Sequence, residues 1–226
     1  EIVFHPGNTE VIYLATTVGA FVTKNGGREW EERMAGMKEV HIVTCLTMDP
    51  SHPRVLYAGT TGGTYRSEDG GASWQKKNSG LIPDDVLNAS MALGVNVLAV
   101  DPLNSNIVYA GSTKGLFRST NRAEYWEQIG QGLSEQFIST LVVHPTNPDI
   151  LYIGGPGGVL QTSDRGKTWQ PRNQGLATLN VRTIVMSRSD PQLLYVGTNG
   201  SGLYRSTDGG TQWTTIPLTG LPGTAP

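Results

Sequence analysis

The sequence predicts an all-β fold, a β-propeller of five four-stranded antiparallel blades. Three observations predict it. All five tryptophans of the 226-residue chain, Trp30, Trp74, Trp126, Trp169 and Trp213, close the same short segment. They stand 44, 52, 43 and 44 residues apart, a period that signals a repeat architecture. Between them lie short runs of β-forming residues separated by turn chemistry, with no sustained helical periodicity.

The units follow in order as blades at about 1–37, 38–81, 82–133, 134–176 and 177–221, with 222–226 as a tail, in one propeller domain. In each unit a tyrosine precedes the tryptophan at a nearly constant distance: Tyr13, Tyr57, Tyr109 and Tyr152 by 17 residues, Tyr195 by 18. A glycine follows it, six residues on at Gly36, Gly80, Gly132 and Gly175, seven at Gly220. The third unit is the fullest. VNVLAV reads as its first strand, DPLNSN as a turn, NIVYAG as the second, STKG as a turn, LFRST as the third and YWEQI as the fourth. Radial repetition of such four-stranded sheets is the propeller solution. A closed ring of five and an open arc of a larger propeller both fit. The chain begins at Glu1 rather than Met, which points to a processed form or a piece of a longer chain.

The five Trp-closed segments are TKNGGREW, SEDGGASW, STNRAEYW, TSDRGKTW and STDGGTQW. They fall on the turn between third and fourth strands. Asp69, Asp164 and Asp208 can accept backbone N–H bonds inside their own turn, helped by the Ser or Thr two residues earlier. Gly71 and Gly210 can take positive φ without a Cβ penalty. The tryptophan then buries a large surface between sheets, which predicts burial of Trp74, Trp169 and Trp213. Asn25 replaces Asp in the first unit, a mild change. The third has Asn121 and lacks both glycines, with Arg122 and Ala123 in their places, so its turn is expected to be the most distorted and Trp126 the most replaceable.

These segments resemble the Asp-box, or bacterial neuraminidase repeat, Ser/Thr-x-Asp-x-Gly-x-x-Trp, over essentially the whole chain. Similar repeats occur in sialidases, xyloglucanases, the sortilin luminal domain and photosystem II assembly factors, and the surrounding text is most similar to the last group. The resemblance implies a bacterial, extracytoplasmic propeller. It also implies that the box residues (Asn25, Trp30, Asp69, Trp74, Asn121, Trp126, Asp164, Trp169, Asp208 and Trp213) build the fold, away from the ligand face.

Composition removes several function classes. The formal net charge is −2 with both signs scattered, so no basic footprint for nucleic acid exists. The longest apolar run, Met91 to Val100, is broken by Asn96 and too short for membrane insertion. Cys45 is the single cysteine, which rules out an internal disulfide and a cysteine zinc cage and reads as a buried small hydrophobe. His5 and His144 precede Pro where Asp49 and Asp101 stand in other units, an interchange that indicates a turn role. His41 and His52 lack metal-ligand spacing, so no metal site is expected. GGPGG at 154–158 has no following helix to make a phosphate loop, and no cofactor is expected.

Enzymatic alternatives lack a constellation. The sialidase family's Arg-Ile-Pro motif is absent, and Arg66, Arg118 and Arg205 share one repeat position, filled by Val22 and Gln161 in the other units. Such symmetry describes a repeat feature rather than a carboxylate clamp. Asp84, Asp85, Glu124, Glu127 and Glu135 are the carboxylates outside the boxes, and their spacing singles out no pair for glycoside hydrolysis. No catalytic residue is assigned. The irregular feature is the connector Lys76–Asn96, about eight residues longer than its counterparts. Loops on a rigid scaffold are where binding is placed, and this one supplies Ile82, Asp84, Asp85, Leu87 and Met91, an apolar and acidic mixture suited to a protein contact. It also holds one of two sequons, Asn88-Ala89-Ser90; the other is Asn199-Gly200-Ser201. The leading expectation is a non-catalytic scaffold for protein interaction or complex assembly. The alternative is a carbohydrate-binding or glycoside-hydrolase-like propeller.

Overall fold

The structure is a computed structural model that describes residues 1–37, 40, 42–81 and 93–217. Five four-stranded antiparallel sheets form the blades of a β-propeller, and no helix occurs among the described residues. The first blade is β1 (Ile2–His5), β2 (Asn8–Thr16), β3 (Gly19–Thr23) and β4 (Glu31–Glu32). The second is β5 (Val43–Met48), β6 (Leu56–Thr60), β7 (Gly63–Ser67) and β8 (Gln75–Lys76). The third is β9 (Val95–Val100), β10 (Val108–Ser112), β11 (Gly115–Ser119) and β12 (Glu127–Ile129). The fourth is β13 (Thr140–Val143), β14 (Leu151–Gly155), β15 (Gly158–Thr162) and β16 (Gln170–Pro171). The fifth is β17 (Val181–Met186), β18 (Leu194–Thr198), β19 (Leu203–Ser206) and β20 (Thr214–Ile216). Within each sheet the strands pair in sequence order, as a meander. The fourth strands are shorter than expected and begin after the tryptophan, which belongs to the turn.

The chain divides into two compact units, Glu1–Phe137 with the first three blades and Ile138–Pro226 with the last two. In the first unit, Tyr13, Val22, Leu46, Leu56, Ala58, Tyr65 and Trp74 pack blade one on blade two. Tyr57, Cys45, Val95, Leu98, Phe117 and Trp126 pack blade two on blade three. In the second unit, Tyr152, Val159, Ile184, Leu194, Val196, Tyr204 and Trp213 do the same for blades four and five. A sheet covered on both faces buries every residue rather than alternate ones. Thus β6 and β7 are buried throughout, whereas β1 and β19 alternate.

The repeat tyrosine sits on the second strand directly opposite the variable third-strand position. The pairs are Tyr13 with Val22, Tyr57 with Arg66, Tyr109 with Arg118, Tyr152 with Gln161 and Tyr195 with Arg205. Two residues on, the strand must be thin. A Cβ on Gly154 would lie 2.6 Å from Val181 Cγ1, in the first strand of the next blade. Cys45 is buried as expected, and burial pushes its thiol pKa up, so it is an inert packing group.

Candidate ligand edge and the opposite structural edge

Every blade has two edges. The turns joining strands one to two and three to four lie on one; the turn joining strands two to three and the connector to the next blade lie on the other.

The first edge is held by the Trp-closed turns. In the second blade, Asp69 Oδ1 accepts the Ser73 N–H at 2.9 Å and the Ser67 hydroxyl at 2.8 Å, while Oδ2 accepts the Ser73 hydroxyl at 2.6 Å. Ser67 Oγ in turn accepts the Gly71 N–H at 2.8 Å. Burial raises the Asp69 pKa, but these donors outweigh it and hold the carboxyl down to about 2. Asp164 and Asp208 are likewise depressed, the first chiefly by the Thr162 hydroxyl and the second by the Gln212 N–H. A further bond ties each turn to its own first turn: the N–H after the Asp or Asn donates to the carbonyl of Glu10, Arg54, Asn106, Asp149 or Gln192. His5 and His144 accept turn N–H bonds on Nδ1, and Asp49 and Asp101 accept equivalent ones on Oδ1, the turn role expected of that position.

Two expectations for these turns are corrected. The third turn is not rebuilt by its substitutions. Asn121 Oδ1 accepts the Tyr125 N–H at 2.9 Å and the Ser119 hydroxyl at 2.8 Å, as an aspartate would. Arg122 and Ala123 adopt the positive φ values of 61° and 67° that glycines take elsewhere, so the cost is backbone strain and not a lost turn. Trp126 is only 1 % exposed. Trp169, by contrast, is half-buried, and its indole donates to Gly166 of its own turn at 3.2 Å. It is the first tryptophan of its unit. Trp74 and Trp213 are buried as expected.

On the opposite edge a second repeated device appears that sequence reading missed. The hydroxyl ending each second strand bridges the following turn: Thr16 to Gly19, Thr60 to Gly63, Ser112 to Gly115 and Thr198 to Gly202, each at 2.7–2.9 Å. Its signal is the Ser or Thr three residues after the repeat tyrosine, with Gly155 as the exception. Asn78 fastens the same turn from the connector side, accepting the Thr64 N–H and donating to the Gly62 carbonyl, both at 2.8 Å. Asn173 accepts the Val159 N–H at 2.8 Å in the same way. This edge is therefore rigid at its turns. In the first unit it displays Val18, Ile42 and Phe137 as exposed apolar side chains; in the second it displays Leu179. The connector residues Ile82, Asp84, Asp85, Leu87 and Met91 lie outside the described residues. Leu81 and Leu93, on either side of them, are buried with Trp126 in one core.

The candidate carboxylates that are described do not meet. Glu124 lies on the Trp-closed turn of the third blade, bonded by Lys77 and by Arg66 at 2.8 Å each. Glu127 stands 3.9 Å from Arg118, and Glu135 pairs with Lys114 on the candidate ligand edge. Arg66 is buried, with Nη1 donating to the Arg122 carbonyl at 2.6 Å, and so reaches into the next turn rather than toward Arg118. Arg205 is exposed. Among the described residues no group of three His, Cys, Asp or Glu is placed to hold a metal ion.

No family model matches the chain, and no curated protein matches it in sequence. Solved structures match its fold. An ancestral GH74 enzyme superposes with a TM-score of 0.76 at 18 % identity, over 96 % of this chain and 30 % of its own. YCF48 bound to D1 peptide gives 0.66 at 13 %, over 95 % and 65 %. The extracellular domain of a one component system from B. thetaiotaomicron gives 0.68 at 18 %, over 87 % and 26 %. The chain thus spans about a third of the length of the GH74 enzyme.

Proposed function

We propose that the chain is a non-catalytic propeller of the Asp-box class that serves as a scaffold for protein interaction or complex assembly outside the cytoplasm. One observation carries this reading. Glu124, Glu127 and Glu135 each face a cation, and the turn aspartates are saturated by their own turns, so these groups are occupied with structure. The ligand edge supports it, with rigid turns, exposed apolar side chains and the long connector between buried Leu81 and Leu93. We place the partner contact on Ile82, Asp84, Asp85, Leu87 and Met91 of that connector. The likeness to YCF48, seen with a peptide, and to bacterial extracellular domains agrees with a protein partner and with the location. A carbohydrate-binding or hydrolase-like role is the second reading, favoured by the likeness to GH74 enzymes.

The test shortens Lys76–Asn96 to the length of the third-to-fourth link. Capture of the partner from an extract of the source cells is then lost while the melting curve stays unchanged. Hydrolysis of a chromogenic glycoside that disappears on substitution of Glu135, Asp84 or Asp85 would overturn the scaffold in favour of the enzyme. Specific signals on a glycan array would favour a sugar binder.

A further inference from the structure

Asparagine followed by glycine is the dipeptide in which the backbone most readily attacks its own side chain. The glycine nitrogen reaches the asparagine Cγ, and a residue without a Cβ does not hinder the approach. The chain has two such pairs, Asn25-Gly26 and Asn199-Gly200, and two aspartyl counterparts, Asp69-Gly70 and Asp208-Gly209. Three of the four sit in Trp-closed turns. The fourth, Asn199-Gly200, is at the tip of the turn between β18 and β19.

The Trp-closed turns tie up the reacting groups. Gly26, Gly70 and Gly209 donate their N–H to the carbonyls of Glu10, Arg54 and Gln192 at 2.9, 2.8 and 3.0 Å. The nitrogen must lose that proton to attack, and giving up the hydrogen bond adds to the barrier. Asn25 is also fixed at its amide. Its Oδ1 accepts the Glu29 N–H at 3.0 Å and the Thr23 hydroxyl at 2.9 Å, and its Nδ2 donates to Glu29 at 3.4 Å.

Asn199-Gly200 is fastened only at its flanks. Thr198 bonds the Gly202 carbonyl through its N–H at 3.0 Å and its hydroxyl at 2.9 Å, and the Asn199 N–H donates to Asn180 at 2.8 Å. The tip is open. Asn199 and Gly200 are exposed, and Gly200, at φ 95°, has nothing within 4 Å of its Cβ position. Neither the Asn199 side-chain amide nor the Gly200 N–H has a hydrogen-bond partner among the described residues.

We propose that Asn199 is a site of spontaneous covalent modification, at which the folded chain converts an amide to a carboxylate. The Gly200 nitrogen bonds to Asn199 Cγ, the Cγ–Nδ2 bond breaks, and Nδ2 leaves as ammonia with the proton that Gly200 gave up. Water from the solvent then opens the five-membered succinimide at either carbonyl. The product is an aspartyl residue or, with the main chain rerouted through the side chain, an isoaspartyl one. Either adds one negative charge to the formal −2 of the chain, at an exposed point of the candidate ligand edge. The flanking bonds of Thr198 and Asn199 do not involve the reacting atoms, so β18 and β19 stay paired. The isoaspartyl form carries a free α-carboxylate, and methyl transfer from S-adenosylmethionine is the class of reaction that consumes it.

The experiment ages the full chain in mildly alkaline buffer, folded and in urea. Both asparagines are followed by mass spectrometry of the tryptic peptides 25–28 and 189–205. In urea both pairs convert, which measures their reactivity without the fold. In the folded chain the expected result is conversion of Asn199 with Asn25 intact, together with an acidic shift on isoelectric focusing. Label from S-adenosylmethionine, added with an isoaspartyl methyltransferase, falls in 189–205. Asn199→Gln, at an exposed position and too long for five-membered closure, loses both the shift and the label. An Asn199 that stays intact in the folded chain while converting in urea overturns the proposal. So does conversion of Asn25 at the same rate in the folded chain, or an acidic shift that persists in Asn199→Gln.

Discussion

The indole N–H of Trp213 donates to the carbonyl of Arg172 at 2.8 Å, joining one blade to the blade before it. Trp74 and Trp126 repeat the bond, so the motif that looks like a turn-closing device is equally a blade-joining one. The tryptophan must be both buried and paired, because an unpaired indole donor in a core is costly.

The five tryptophans should therefore rank by junction and not by the quality of their own turn. Trp126→Ala and Trp213→Ala should each cost about 3–5 kcal/mol, as large-to-small changes at fully buried sites. Trp30→Ala should cost about 1 kcal/mol or less, as a partly exposed site. Denaturant midpoints of the single variants measure this. Trp126→Ala ranking as the mildest would restore the view that the turn sequence alone decides.

The glycine six residues after Trp30, Trp74 and Trp169 has the matching role. A Cβ on Gly175, at φ 93°, would run into the Trp213 carbonyl and lie 3.0 Å from its carbon; Gly36 meets Trp74 in the same way. Because the obstacle is backbone, it cannot swing aside. Gly175→Ala should cost about 2–4 kcal/mol, from left-handed strain together with overpacking. Gly132 has a similar φ of 83° but nothing within 4 Å of its Cβ position. Its replacement by Ala should cost only the strain, about 1–2 kcal/mol. Thermal melts of the two variants separate the contributions, and equal losses would remove the docking role.

Most of the fold was legible because repetition writes itself along the chain. The tryptophan period counted the blades, the tyrosine offset located each second strand, and the exchange of His5 and His144 with Asp49 and Asp101 marked a turn position. Pairings between blades were not legible. Arg33 and Trp74, or Gly36 and Trp74, belong to different repeats, and nothing in one repeat names its partner in the next. Asn121, Arg122 and Ala123 misled for a related reason: a residue-type pattern records preference, whereas an amide can make the same bonds and a non-glycine can be held at positive φ by its surroundings. The candidate ligand edge was legible only as an unusually long connector. The hydroxyl clasp at Thr16, Thr60, Ser112 and Thr198 had a sequence signal, hidden by the ordinary abundance of Ser and Thr in turns.

The Arg66 network gives a prediction about coupling. Arg66 bonds Glu124 at 2.8 Å and Glu68 at 3.1 Å while donating to the Arg122 carbonyl, and Lys77 holds Glu124 from the other side, lowering its pKa. Glu124 is half exposed, so solvent reduces the Coulomb gain. A double-mutant cycle on Arg66→Met and Glu124→Gln should give about 1 kcal/mol of coupling. The equivalent cycle on Arg118 and Glu127, 3.9 Å apart, should give close to none. Similar couplings at both sites would mean that Arg66 acts through packing alone.

The turn aspartates predict how stability depends on pH. Asp69 is held down to about 2 from an ordinary 3.8, and Asp164 and Asp208 are lowered as well. A carboxylate depressed in the folded state contributes fully above its unfolded pKa, and that contribution fades as pH falls through the folded value. The loss should thus begin near pH 4 and be largely complete for Asp69 near pH 2. Asn25 and Asn121 show that an amide oxygen accepts the same turn bonds without titrating, at 3.0 Å from the Glu29 N–H and 2.9 Å from the Tyr125 N–H. The triple variant Asp69→Asn/Asp164→Asn/Asp208→Asn should therefore fold, be less stable than the parent at pH 7, and lose less on acidification. Urea midpoints at half-unit steps from pH 5 to pH 2 should converge for the two proteins toward the acid end. Parallel curves over that range would show that the carboxylates contribute no more in the folded chain than in the unfolded one.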